Sequence, residues 1–340
     1  MSATTPGLGC AHHHLYSVLA RGMPPPPTVA TNFQEILEQI WWRLDVALDL
    51  EMIRWSAMLG AVEALESGTT AIVDHHESPN AIEGSLDVIA EACAEVGVRV
   101  LTAYGITDRH GADGARRGLE ENERFIKAGG PGYVGVHAAF TCSDKSLRDA
   151  AGLAHDLGVG VHIHVAEGIG DVDAPTRLAG LTQDDWLISH AVHLPDDHGL
   201  HGTILHNPRS NLNNGVGYAN PARFTNPVAL GTDGIGANVI ESFRLAYAMQ
   251  RSVDVTAGPD SAWEWLENGW RIMPEARGDE VTWSYEPMDP WLIAFTPSIR
   301  PLEVKVNDEV VFANGKTTRV DADEVRAKAR EQAARLHARL

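Results

Sequence analysis

Cysteine is scarce. The 340-residue chain holds 3, Cys10, Cys93 and Cys142, widely separated and odd in number. That usage gives no disulfide framework, no Cys-x-x-Cys pair and no four-cysteine metal site, so a reducing cytoplasm is the expected compartment. Basic residues are also short, 27 Lys and Arg against 46 Asp and Glu, for a formal charge of −19. Nucleic acid and anionic membrane bind through clustered Lys and Arg, and neither is expected as a partner. No apolar run approaches the roughly 18 residues of a membrane helix. Residues 1–9 lack a basic segment leading into an apolar one, so a soluble, unprocessed chain is expected. Also missing are HExxH, GxSxG, the P-loop and the Pro-Cys-x-x-Cys signature of another zinc deaminase architecture. Gly234-x-Gly236 is a fragment of a dinucleotide fingerprint and is discounted.

What is present describes a globular protein, with 44% apolar and 21% charged residues. Short apolar runs recur at Leu8–Ala11, Thr70–Val73, Val98–Ile106, Tyr133–Phe140, Val159–Val165, Trp186–Ala191, Thr203–Leu205 and Val228–Leu230. Between or after them lie helical patterns, among them Phe33–Glu66, Ala81–Val96, Leu147–Leu157 and Val239–Gln250. Eight such alternations predict a parallel sheet closed into a (β/α)8 barrel over residues 1–256. From 257 to 340 the text changes: it is Trp- and Pro-rich, then offers two short strands, Glu303–Val306 and Glu309–Ala313, joined across Asn307-Asp308, and a charged helix over Ala322–Leu340. A small C-terminal accessory β/α segment is expected there.

The composition contains 16 histidines, and they gather where barrel strands end. Catalytic side chains of this fold sit at those C-terminal strand ends. His12 and His14 close the first run, and a period of two aims both at one point. His13, facing the other way, reads as structural. His162 and His164 share that spacing on the fifth run, and periodicity does not choose between them. His137 lies near the end of the fourth run, His190 ends the sixth, and Asp233 ends the eighth in Leu230-Gly231-Thr232-Asp233-Gly234. Several imidazoles and one carboxylate, with a position left for water, make a catalytic site for a divalent metal. Glu167 follows His164 by three residues: a continuing strand turns it away, and a bend brings it in as a proton shuttle. His75 and His76 read as solvated loop residues or pocket lining.

Five segments taken together, Pro6–Leu15, His162–Glu167, Ser189–Leu194, His206–Asn211 and Leu230–Gly234, resemble the amidohydrolase superfamily. The likeness is to its mononuclear chlorohydrolase/deaminase (ATZ/TRZ-like) branch. Ala20–Met23, Ile40–Asp45, Asp74–Asn80 and Thr107–Arg109 are similar to the SsnA group of aminohydrolases within it. The resemblance implies one divalent ion, zinc before iron or manganese, held by His12, His14, His164 and Asp233. It also implies Glu167, His190 and Asp233 as catalytic groups, His162 as a structural partner, and His137, Arg109 and Arg209 at the substrate. No lysine ends the fourth strand, where binuclear relatives carry a carboxylated one. The implied activity is hydrolytic deamination of a purine-, pterin- or pyrimidine-like heterocycle; displacement of a halide, cyclic-amide hydrolysis, a lyase, and a barrel that only binds are the alternatives. The expected partner is the small heterocyclic substrate, with a homodimer left open. Family members carry a β-rich segment before the Pro-Gly that leads into the barrel. Here Pro6-Gly7 stands at the start, so half of the small domain is expected to be missing.

Overall fold

The apolar runs fold as strands and the longer patterns between them as helices. In the computed structural model, residues 3–286 and 289–340 are described, which leaves out Pro287 of the Pro-rich stretch. Strand β1 (Thr4–Pro6) precedes a parallel series: β2 (Leu8–His14), β3 (Thr69–His76), β4 (Arg99–Tyr104), β5 (Val134–Ala138), β6 (Val161–Val165), β7 (Leu187–His190), β8 (Thr203–His206) and β9 (Val228–Leu230), which resumes as β10 (Asp233–Gly234). β2, β3 and β4 pair in order, as do β5 through β9. Bridges from Thr102 to Gly132 and from Ile106 to Val136 join the two arcs. Asp233 and Gly234 pair with His13 and His14 and close the ring. The result is the (β/α)8 barrel that the alternation predicts.

Ala11, Ala71, Val73, Leu187, Leu205 and Ala229 pack together along the barrel interior, with Met273 against them. Met273 also meets Gly9 near the start of β2, closing the end away from the histidines. Outside lie the helices, several of them started by a side-chain cap or stopped by a glycine. Asp49, Ser143 and Asn238 accept the first free amides of Leu50–Glu66, Asp144–Leu157 and Val239–Val253. Gly97 and Gly158 end Ser85–Val96 and Asp144–Leu157 in the left-handed region. The single helical pattern expected over Phe33–Glu66 is two helical segments. Leu48 is extended, and Asp49 caps a new helix at Leu50. The first segment contains a π-turn at Leu37–Trp41.

The remaining strands, β11 (Glu280–Trp283), β12 (Pro301–Val306), β13 (Glu309–Ala313) and β14 (Lys316–Thr317), form an antiparallel sheet whose edge is β1, in the order β1-β11-β12-β13-β14. Asn307 and Asp308 both have positive φ, 52° and 63°, so the β12–β13 hairpin turns without glycine. Trp283, 1% exposed, donates from Nε1 to Thr5 Oγ1 at 2.8 Å. Its ring lies on Gly68, where a Cβ would come within 2.3 Å. The helix Ala322–His337 reaches back to Leu50–Glu66 through Arg326–Glu66 and Arg335–Glu51 pairs. Among the described residues no helix is long and apolar enough to cross a membrane.

Candidate metal centre

The strand ends deliver their histidines to one buried point. β2 supplies His12 and His14, β6 supplies His164, β7 supplies His190 and β10 supplies Asp233. One ligand atom from each of His12, His164, His190 and Asp233 lies within 4.8 Å of the others. Asp233 Oδ1 is 2.9 Å from His14 Nε2 and 3.2 Å from His12 Nε2, and the Nε2 atoms of His14 and His164 are 3.2 Å apart. Spacing alone left His162 and His164 as equals. The fold separates them: His162 Nε2 is engaged by His12 Nδ1 at 2.8 Å, and His164 joins the cluster.

Hydrogen bonds on the far side of each ring decide what the near side offers. Nδ1 of His14 faces the His75 carbonyl, Nδ1 of His164 faces the His137 carbonyl at 2.6 Å, and Nδ1 of His190 faces Asn211 Oδ1 at 2.8 Å. An oxygen acceptor holds the proton on Nδ1, so each Nε2 presents a lone pair to the centre. The Nε2 atoms of His12 and His190 are buried with no hydrogen-bond partner among the described residues. Burial holds His12 and His164 well below the usual imidazole range. Burial opposes charge on His14 as well, but with no cation in the site the Asp233 carboxylate outweighs it and lifts that ring to about 9; a bound divalent ion would take the place of that Nε2 proton. Lone pairs converging on a buried carboxylate draw a cation, and this donor set fits a divalent metal of the zinc type.

Two of the donors sit on strained backbone. His190 and Asp233 have φ of 73° and 58°, left-handed values uncommon for residues with a Cβ. Ala166 has φ of 49°, and there the chain bends off β6. The bend brings Glu167 in, with Oε2 3.5 Å from His190 Nε2 and Oε1 accepting from Asn214 at 3.3 Å. Burial raises the Glu167 carboxyl, and the charge of Asp233 adds to the rise. Around the centre lies a cavity open to solvent. One wall carries the polar groups; the other, from the helical stretch 33–47, carries Phe33, Leu37, Trp41 and Trp42.

Other expected residues fall as follows. His137 lines the cavity, its Nδ1 2.7 Å from Thr141 Oγ1 and its Nε2 3.6 Å from Glu77. His13 is buried against Thr232 and the Asp233 carbonyl. His75 and His76, read as solvated or lining, belong to β3 and are fully buried. His75 Nε2 donates to the Val136 carbonyl at 3.1 Å, and the ring lies within reach of His14 and His164. Arg209, expected at the substrate, is half exposed, paired with Glu241 and not among the residues that line the cavity. Neighbouring positions on a helix differ by about 100°, and in Pro208–Asn213 it is Ser210 that faces inward, donating to Asp233 Oδ2. Arg109 lies behind the wall, 4.4 Å over the Trp42 ring and paired with both Glu77 and Asp45.

The residue-by-residue reading missed the wall groups Tyr16, Asp45 and Glu77 and the backing residues Asn211, Asn214 and Asp171. The run Trp41-Trp42-Arg43-Leu44-Asp45 was a signal, since two adjacent tryptophans beside charge in a half-buried helix are unusual for a plain core face.

A model of the amidohydrolase family matches residues 3–267. A 5'-deoxyadenosine deaminase of Methanopyrus kandleri is 32% identical over 291 residues, which cover 77% of this chain and 64% of that protein. The chain thus spans less than two thirds of that relative's length. The 5-methylthioadenosine/S-adenosylhomocysteine deaminase 2 of Archaeoglobus fulgidus is 28% identical, with 97% of this chain and 87% of its own length covered. Among solved structures, an adenosine deaminase from Xanthomonas campestris with bound zinc superposes with a TM-score of 0.83 at 21% identity, covering 99% of this chain and 86% of that one. The atrazine chlorohydrolase of Arthrobacter aurescens, complexed with zinc, gives 0.79 at 20% identity, covering 98% and 88%. These two likenesses concern the fold.

Proposed function

The chain belongs to the amidohydrolase family, and on that premise we propose that it hydrolytically deaminates an adenine-like heterocycle of the nucleoside class. The observation that carries this reading is Glu167 turned into the cavity beside His190, next to a cluster of imidazole lone pairs and the Asp233 carboxylate. In this reading His12, His14, His164 and Asp233 hold one divalent ion, zinc before iron or manganese. When bound, such an ion supplies Lewis-acid activation of water near neutral pH.

The chain's own groups do the rest. Asp233 and His190 orient the attacking water and take its proton as it adds to the ring carbon bearing the amino group. Glu167, its carboxyl raised by burial, gives its proton to the adjacent ring nitrogen; the proton taken from the water then passes to the amino group, and as ammonia departs the proton of the new hydroxyl returns to Glu167. His137 hydrogen-bonds the ring from the opposite side. Trp41 and Trp42 offer faces on which a planar base packs. Catalysis is assigned to the barrel unit, residues 1–256, with 257–340 as accessory segment, and the cytoplasm is the proposed compartment, Cys10, Cys93 and Cys142 all being free and buried.

The test is ammonia release from zinc-loaded protein offered adenosine, 5'-deoxyadenosine, 5-methylthioadenosine, S-adenosylhomocysteine, guanine and a pterin. Ammonia with the matching oxo-purine from at least one adenine nucleoside is expected. Ammonia from none of the six overturns the proposal.

A further inference from the structure

Asp171 is 2% exposed and lies in the tight turn after β6. Its carboxylate accepts two backbone amides from different segments. Oδ2 takes the Ala166 N–H at 2.8 Å and Oδ1 the Phe140 N–H at 2.9 Å. Its own N–H donates to the Gly168 carbonyl at 3.1 Å, so the acid closes the turn that contains Glu167. Ala166 is left-handed without being glycine, a conformation that must be held by its surroundings. That conformation decides on which side of the chain Glu167 emerges, because a continuing strand would face it away. Phe140 belongs to the segment after β5 whose Thr141 engages His137. One buried carboxylate therefore ties the turn carrying Glu167 to the wall carrying His137.

We infer that Asp171 is a positioning residue: it touches neither the metal ligands nor Glu167's carboxyl, and acts by holding the left-handed turn at Ala166 that puts Glu167 in the cavity. The inference deepens the deaminase reading and rests on it.

The experiment compares D171A, D171N, A166G and D171A/A166G with the parent chain, all zinc-loaded, for metal content, kcat, KM and hydrogen exchange at the Ala166 amide. In D171A the metal stays at the parent level and KM moves less than about threefold. Its kcat falls about 10- to 100-fold, the range for loss of a group that orients a catalytic one. Glycine tolerates the left-handed turn unaided, so D171A/A166G regains several-fold in kcat over D171A, and A166G alone stays near the parent. D171N keeps one acceptor oxygen and falls between; it serves as the test should D171A not fold. Unchanged kcat in folded, metal-loaded D171A or D171N overturns the inference, as does a loss that A166G leaves untouched. If the parent chain itself deaminates none of the nucleosides, the deaminase reading fails separately, and exchange at Ala166 decides the holding role: faster exchange in D171N supports it, and parent-like protection refutes it.

Discussion

Replacing Arg109 with methionine removes the guanidinium paired with two buried acids, Glu77 and Asp45, and leaves a side chain of similar length. The Arg109 side chain is 11% exposed, Glu77 4% and Asp45 2%. At the 3.5 Å separation of Arg109 and Asp45, Coulomb attraction is about 5 kcal/mol for an effective dielectric of about 20, and the Glu77 contact is closer still. Much of that offsets desolvation. The relevant figure is the cost of breaking a buried pair by removing one partner, about 3–5 kcal/mol, and the lost contact with the Trp42 face adds about 1 kcal/mol. Denaturant unfolding of the zinc-loaded variant at pH 7 should therefore show a loss of about 4–6 kcal/mol. Burial already holds both carboxyls above their usual range, and without the cation they rise further. A raised folded-state pKa gives stability at low pH that disappears as pH climbs, so the deficit should shrink from pH 7 to pH 5. A deficit under about 1 kcal/mol at pH 7, or one that grows on acidification, would refute the reasoning.

Three further outcomes are expected. Glu167→Gln keeps the Asn214 contact and the metal but loses the transferable proton, so kcat should fall about 10²- to 10⁴-fold at unchanged metal content; full turnover would remove Glu167 from the mechanism. Asp74, fully buried, accepts the Leu15 N–H and the Thr102 hydroxyl, and burial pushes its carboxyl from 3.8 up to about 6. Its folded pKa lies above the unfolded one, so the parent chain loses stability as pH rises through about 4 to 6, and Asp74→Asn, which keeps both contacts by reversing the Thr102 hydroxyl, should gain on it by up to about 3 kcal/mol by pH 7. Unfolding curves at four pH values check this, and a constant difference contradicts it. Trp283→Ala should lose about 3–5 kcal/mol through the cavity left over Gly68, with metal content intact.

The barrel and most of the cluster are legible in the sequence because they rest on short periods. Two-residue spacing aims His12 and His14 at one point, and apolar runs ended by His190 and Asp233 mark strand ends. Where backbone departs from a period, pattern says less. The bend at Ala166 that admits Glu167 depends on a left-handed residue with no glycine to announce it. The break at Leu48 and Asp49 hides within continuous amphipathic text, where only the capping role of Asp49 marks a new helix. Which of Arg209 and Ser210 turns toward the centre depends on their rotation about the helix Pro208–Asn213, which a motif does not state. The Asp45, Glu77 and Arg109 network is assembled from three distant segments, and no local spacing encodes it. The pairing in the small sheet is likewise non-local, since its edge strand β1 comes from the other end of the described chain.

The central claim, one divalent ion serving a deaminase site, is tested most directly by titrating chelated, metal-free protein with zinc while following ammonia release from an adenine nucleoside. The account predicts a rate that rises linearly and breaks at one equivalent. A break at two equivalents, or no ammonia from protein shown to carry one bound ion, would contradict it.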